Sequence, residues 1–400
     1  AIILKKSLFK HLFIKKLDNI MAKTYAEIND KIKKGTAVVL TAEEVSELAK
    51  TLSPKEIAEK VDVVTTATFG AMCSSGAFLN FGHANPPIRM EKIELNGIRV
   101  SGGLAAVDTY VGATDCNPEN PAYGGAHVIE DLVAGKEIAL EAWGKGTDCY
   151  PCKHIKTRIT KDSINEAILY NPRNAYQNYN VATNSTDKIK YTYMGTLLPK
   201  LRNASYSTAG ELSPLLNDPE CRTIGLGTRI FLCGTEGYVT WNGTQFHSTK
   251  EVNEYGIPTS NARTIAVIGD LKNMSTDFLR GVYYEKYGVS LFVGIGIPIP
   301  ILDEDLARRV SIRNEQIETT VVDYGDGNKI LGKTNYAALQ SGEIEVNGHK
   351  IRTTPVASLA KARQIADILK SWIQKGDFLL SEPVRPMPTG TALKQLKIES

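Results

Sequence analysis

The stretch TATFGAMCSSGAFLNFGH, Thr66 to His83, sets one cysteine, Cys73, between Gly70 and Gly76 among residues too small to fill a core. A second stretch, WGKGTDCYPCKHIKT (Trp143 to Thr157), holds Cys149 and Cys152 in a CxxC, with Lys145, Lys153, His154 and Lys156 close by. A thiol with an ordinary pKa of about 8.5 is only a few per cent thiolate at neutral pH; neighbouring cations or free backbone N–H groups lower that pKa. For Cys73 the donors would be the N–H groups of a glycine-flanked turn, and for Cys149 the basic cluster. The residues alone leave several chemistries open: a reactive thiol at Cys73, a redox pair in the CxxC, or an iron–sulfur cluster on Cys73, Cys149 and Cys152 with one iron left free. A four-cysteine zinc site would need a second CxxC, which the chain lacks. Cys116, Cys221 and Cys233 each stand alone and read as small buried hydrophobes. His83 and His127 are candidate general acids, set against the plainer reading of a histidine satisfied in the core or at the surface.

These side chains must be positioned by a mixed α/β (α+β) fold. TYAEINDKIKKG reads as a helix closed by Gly35, TAVVL as a short strand, and Thr41-Ala-Glu-Glu44 as a capping box opening AEEVSELAKTL. A further helix begins after Ser53-Pro54 and leads into the strand VDVVTTAT, so the Cys73 stretch falls at the end of a strand, a usual place for function in an α/β sheet. KIELNGIRVSG, EIEVNGHKIRTTP and YVTWNGTQFH each alternate about an Asn-Gly and predict three hairpins, the first two alike enough to suggest paired elements. Hairpins demand antiparallel pairing, so the sheets must be mixed, with flanking helices. HVIEDLVAG and SINEAILYN predict short helices, and ASLAKARQIADILKSWIQKG predicts a long amphipathic one closed by Gly376. The polar, Tyr- and Asn-rich segment 171–187 is the expected boundary between two lobes, or a mobile loop. GLGTRIFLCG, Gly225 to Gly234, begins like a nucleotide loop but has Ile230 where the third glycine would fall, so it reads as a tight turn beside the active site.

Of the 400 residues, 42% are hydrophobic and 23% charged, an ordinary globular composition. The formal charge of +3 comes from residues 1–20, which carry five lysines; without them 42 basic side chains face 43 acidic ones, and nothing points to nucleic acid as a partner. Met21 resembles a start, so residues 1–20 read as a non-native or disordered leader, with a basic membrane-surface helix as the rival. The longest apolar run, LFVGIGIPIPIL, is far short of the roughly 20 residues that span a bilayer and is broken by two prolines, so no transmembrane segment is expected. Six sparse cysteines and no secretory signal argue for a reducing, cytoplasmic setting and free thiols.

Six blocks in the same order, FGAMCSSGAFLNFGHANPPIRM, GGAHVIEDLVAGKEI, GTDCYP, NPRNAYQ, LSPLLNDPECRTIGLGTRIFL and GIGIPIPIL, resemble the L-aspartate semialdehyde sulfurtransferases, the homocysteine biosynthesis family of methanogenic archaea and other anaerobes. The resemblance covers residues 24 to 388 and frames a catalytic region over 21–388 with a tail over 389–400. It implies synthesis of homocysteine from aspartate semialdehyde and sulfide, with two essential cysteines that fall here on Cys73 and Cys149, and a ferredoxin-like iron–sulfur protein as electron donor. It does not call for Cys152 or Cys233. No C-terminal CBS domains of the kind many members carry are expected. Chemically, aldehyde and sulfide reach a thiol only with electrons added, so a Cys73–Cys149 disulfide opened by sulfide would leave a persulfide, Cys73 its expected carrier, to attack the aldehyde. The substrate carboxylate calls for an arginine fork, for which Arg89, Arg173 and Arg229 stand within the resembling blocks. A homo-oligomer is compatible with all of this.

Overall fold

The computed structural model describes residues 22–399. The leader, whether non-native or a membrane-surface helix, lies outside the described residues. The first three helices start where the sequence supplies caps: α1 (Tyr25–Lys33) on Thr24, α2 (Ala42–Leu48) on Thr41 and α3 (Pro54–Lys60) on Ser53, each closed by a reciprocal box with Glu27, Glu44 and Glu56. Each box satisfies two backbone N–H groups that the first helical turn leaves without partners.

The largest sheet has ten strands. Its order is β1 (Val39–Thr41), β2 (Val63–Ala71), β18 (Gly288–Pro300), β14 (Arg229–Leu232), β15 (Thr235–Asn242), β16 (Ile265–Asp270), β9 (Glu166–Asn174), β3 (Gly76–Asn80) and β6 (Asp108–Gly112), with β17 (Leu279–Tyr284) also pairing β18. Only β1 and β2 run parallel in it. The run LFVGIGIPIPIL thus forms most of β18, whose prolines 298 and 300 lie opposite β2 but beyond the reach of β14, where a missing N–H costs no ladder bond. Gly294 and Gly296 serve packing: a Cβ on either would stand about 3 Å from Ile365 side-chain atoms of α8 (Leu359–Lys375). Their absence lets Ile365 and Leu369, both fully buried, settle on the sheet, each contributing roughly 2 kcal/mol of apolar burial.

Two smaller sheets complete the frame. Four strands, β5 (Ile98–Val100), β4 (Lys92–Leu95), β7 (Ile138–Trp143) and β8 (His154–Ile159), share the main core through Ile93, Leu95, Ile138 and Leu140, while α4 (Gly125–Val133) packs against β17. Six strands, β20 (Lys329–Asn335), β19 (Glu318–Asp323), β10 (Val181–Thr183), β13 (Asn203–Tyr206), β22 (His349–Pro355) and β21 (Glu343–Val346), build a second core around Val181, Val321, Tyr336 and Ile351. A separate hairpin, β11 (Lys190–Thr192) and β12 (Gly195–Leu197), rests on its own small cluster of Ala182, Met194 and Leu197. The remaining helices are α5 (Pro214–Asn217), α6 (Glu304–Arg309) and α7 (Tyr336–Ser341). No helix among the described residues is long and apolar enough to cross a membrane.

The mixed α/β class and antiparallel hairpins therefore stand, with three local corrections. SINEAILYN is largely strand β9, not helix: Ala167, Leu169 and Asn171 alternate inward, Ile168, Leu169 and Tyr170 pair with both β3 and β16, and that tertiary pairing overrides the local pattern. The third Asn-Gly makes no hairpin, because Asn242 is still paired with Ile265 and the chain then leaves the sheet until residue 265. The two true Asn-Gly hairpins, β4–β5 and β21–β22, have both turn residues at positive φ but belong to different sheets, so they are not paired elements.

Candidate active site

Strand β2 ends at Ala71, and Met72 to Ser75 turn the chain into β3, with Met72 N donating to Leu291 O at 2.8 Å and Ser75 N to Met72 O at 3.1 Å. The N–H groups of Cys73 and Ser74, in the middle of this turn, donate to no other described residue. Cys73 stands opposite the start of β18, where Ser290, fully buried, donates its hydroxyl to Cys73 Sγ at 3.4 Å. Tyr287 Oη, from the β17–β18 turn, lies 3.6 Å from the same sulfur.

The sulfur opens on a cavity of about 270 Å³. It is lined by the Cys73 turn, by Tyr284 and Tyr287, and by Arg173, Tyr176 and Tyr179 from the end of β9 and the segment beyond it. The β11–β12 turn adds Tyr193 and Met194, so the hairpin's own small cluster borders the cavity. Tyr179 donates to Tyr193 Oη at 3.1 Å, and the Tyr193 and Tyr324 hydroxyls lie 2.8 Å apart. Lys286 of the β17–β18 turn donates to Tyr191 Oη at 3.4 Å and tethers the small hairpin across the cavity.

Burial raises these phenols, because a phenolate would lose its water. Tyr176 and Tyr284 are each pushed up to about 12, mainly by burial, with Cys73 adding to the effect. Tyr287 is raised further, first by burial and then by its contact with Cys73. All therefore remain hydrogen-bond donors at neutral pH. Tyr284 Oη is sealed from solvent and has no partner.

Of the residues singled out from the sequence, Cys73 and Arg173 meet at this cavity and the others do not. Cys149 is exposed at the tip of the β7–β8 hairpin, in a turn closed by Thr147 N to Tyr150 O at 2.8 Å. The ring of Tyr150 stacks on that of His83, 6.1 Å between centroids, beyond the end of β3 opposite to Cys73. The length of β3, about 13 Å at 3.3 Å per residue, separates those ends. Both thiols are free. Of the basic side chains near Cys149, His154 and Lys156 both reach Glu141 and Lys145 reaches Glu91, while Lys153 makes no ion pair among the described residues. Cys152 donates to His154 O at 3.3 Å, outside the cavity. The sulfurs of Cys73, Cys149 and Cys152 do not converge, and among the described residues no group of three or more His, Cys, Asp or Glu is placed to hold a metal.

His127 lies in the first turn of α4, where its Nδ1 accepts from Gly124 N at 3.2 Å and burial lowers its pKa. Arg89 is exposed away from the cavity. Arg229 forms an ion pair with Glu236 and lies over the Phe378 ring, a structural role. Its block GLGTRIFLCG is the β14–β15 hairpin, with Cys233 and Gly234 at positive φ in the turn, and it does not border the cavity as expected. Cys221 and Cys233 are buried as expected, whereas Cys116 is exposed. The tyrosine wall and Ser290 were not singled out beforehand. The only signals were the tyrosines of NPRNAYQNYN and GVYYEKYGVS, which without the fold are two unrelated loops.

A cysteine sulfur contacted by two hydroxyls at the rim of a small cavity is a setting suited to thiol chemistry. The chain belongs to the family described as "Homocysteine biosynthesis enzyme, sulfur-incorporation", whose model matches residues 37–380. It is similar to the L-aspartate semialdehyde sulfurtransferase of Methanocaldococcus jannaschii, 50% identical over 91% of this chain and 73% of that protein. It is similar also to the protein of that name from Methanosarcina acetivorans, 48% identical over 94% of this chain and 74% of the relative. An uncharacterized protein of Methanothermobacter thermautotrophicus is 27% identical over 85% of this chain. No solved structure gives a significant match. The chain is thus a sulfurtransferase of homocysteine biosynthesis.

Proposed function

We propose that this enzyme converts L-aspartate semialdehyde and sulfide to L-homocysteine, with Cys73 carrying the incoming sulfur as a persulfide. The observation that carries the reading is the setting of Cys73. Its sulfur faces a cavity sized for a small amino-acid aldehyde, with the Arg173 cation among the lining residues to meet a carboxylate. The unpartnered N–H groups of Cys73 and Ser74 are available to an oxyanion forming beside the sulfur.

Sulfide opens a Cys73–Cys149 disulfide, leaving Cys73–S–S⁻ and a Cys149 thiolate. The outer sulfur adds to the aldehyde carbon, and Cys149 then displaces it from Cys73, which restores the disulfide and releases an α-hydroxythiolate. Loss of water gives a thioaldehyde, and two electrons and two protons complete the thiol. Those electrons come from outside the chain, and a ferredoxin-like iron–sulfur donor, in the cytoplasm, is the proposed source. Because Cys149 lies away from the cavity, its hairpin must swing toward Cys73, or a second copy in a homo-oligomer must present it, for the disulfide to form.

Intact mass spectrometry after anaerobic treatment of the disulfide form with sulfide tests the proposal. Wild type should gain one sulfur atom and Cys73→Ser none. A wild-type protein that takes up no sulfur would refute it.

A further inference from the structure

The reaction needs a proton at the carbonyl oxygen as sulfur adds to carbon, and neither histidine reaches the site: His83 stacks on Tyr150 and His127 caps α4. Arg173 lines the cavity, but a guanidinium does not give up its proton. Ser74 directs its hydroxyl to Asn171 Oδ1 and Arg173 O. Tyr193 is committed to Tyr179 and Tyr324, and the Tyr284 hydroxyl is closed off from water. Tyr287 differs from each of these. Its hydroxyl touches the Cys73 sulfur, it lines the cavity, and with 41% of its surface exposed it can recover a proton from solvent.

Resting on the persulfide reading above, we infer that Tyr287 is the catalytic acid of the carbon–sulfur bond-forming step, while the buried Ser290 hydroxyl holds the inner sulfur. A persulfide S–S bond of about 2.05 Å puts the outer sulfur beside Tyr287, and a carbonyl carbon in attack position lies about 3–3.5 Å beyond. The carbonyl oxygen then falls within hydrogen-bond range of the phenol that now contacts Cys73. The outer sulfur gives its lone pair to carbon, the carbonyl π pair moves to oxygen, and that oxygen takes the proton of Tyr287; water reprotonates the phenolate. No electrons enter or leave in this step. Burial and the neighbouring sulfur, which raise the phenol, keep it protonated until the oxygen develops charge. Ser290 is a positioning residue, since its hydroxyl has the Cys73 sulfur as its one partner among the described residues.

The experiment separates sulfur loading from sulfur transfer in Tyr287→Phe, which keeps the ring. Each protein, first oxidised to its Cys73–Cys149 disulfide form, is loaded anaerobically with sulfide, and the added sulfur is counted by intact mass. It is then mixed with saturating L-aspartate semialdehyde, and loss of that sulfur is timed. The expected result is loading equal to wild type, transfer slowed about 100-fold or more, and a nearly unchanged half-saturating concentration of the aldehyde. Normal loading with undiminished transfer in Tyr287→Phe overturns the acid role alone. Loss of loading in that variant, with wild type loading normally, also overturns it by assigning Tyr287 to the thiol instead. Failure of wild type to load overturns the persulfide reading itself.

Discussion

Cys73 and Cys149 occupy opposite surroundings. Cys73 sits in a turn pinned between β2 and β3, with a buried serine and a tyrosine on its sulfur and the Arg173 cation lining the same cavity. Cys149 rides a hairpin tip where His154, Lys156 and Lys145 are spent on Glu141 and Glu91. A thiol that must hold sulfur against water and aim it at a carbonyl benefits from a fixed frame. A thiol that must only arrive, resolve and leave benefits from a mobile arm. The division of labour follows from the two settings more directly than from the two sulfurs, which are chemically alike.

The comparison breaks most severely if Cys149→Ser behaves like Cys73→Ser. We expect Cys149→Ser to lose turnover by about 1,000-fold or more, because sulfide then has no disulfide to open, yet to take sulfur onto Cys73 from a polysulfide donor. Anaerobic loading followed by mass spectrometry checks this, and a Cys149→Ser protein that refuses polysulfide would mean the two thiols cannot be assigned separate tasks. Next in size is Arg173→Ala, which removes a charged hydrogen bond worth roughly 1.5–3 kcal/mol and should raise the KM for the semialdehyde by about 10- to 100-fold with sulfur loading unchanged. Steady-state kinetics read this directly, and an unaltered KM would remove Arg173 from substrate binding. The smallest contrast concerns rigidity. A Cβ at Gly76 would meet the Tyr110 hydroxyl and the Val111 carbonyl at 2.2 and 2.6 Å, whereas at Gly146 it would meet only the flexible Lys153 side chain. Gly76→Ala should cost about 2–3 kcal/mol through overpacking. Gly146→Ala should cost about 1 kcal/mol through its positive φ alone. Denaturant titration measures both, and equal losses would contradict the picture of one fixed and one yielding frame.

What could be read from the sequence was local. The capping box at Thr41, the helix start at Ser53-Pro54, and the Asn-Gly turns at 96–97 and 347–348 are short-range signals, and the chain obeys them. Cys73 stood out because its neighbours are too small to bury it. Segment 171–187 was polar in sequence, yet Asn171, Asn174, Gln177 and Asn178 are fully buried, with Gln177 and Asn178 bonding backbone carbonyls from distant segments. Partners that far along the chain leave no local trace. The cavity shows the same limit more strongly, since its tyrosines come from the segment after β9, the β11–β12 turn, the end of β17 and the β17–β18 turn. Strand β9 was misread because Ile164, Ile168 and Leu169 suit a helix face as well as a strand until β3 and β16 flank them.

The burial of Cys221 and Cys233 has a practical consequence. Both thiols are enclosed, and burial raises their pKa, Cys233 to about 12, so neither forms appreciable thiolate in the folded protein. A thiol-alkylating reagent applied to the native enzyme would tag only the four accessible cysteines and stay blind to these two. Occupancy at Cys73 can therefore be followed by differential labelling of the unmutated protein, with the two hidden sulfurs emerging only on denaturation as an internal gauge of how much of the sample was folded.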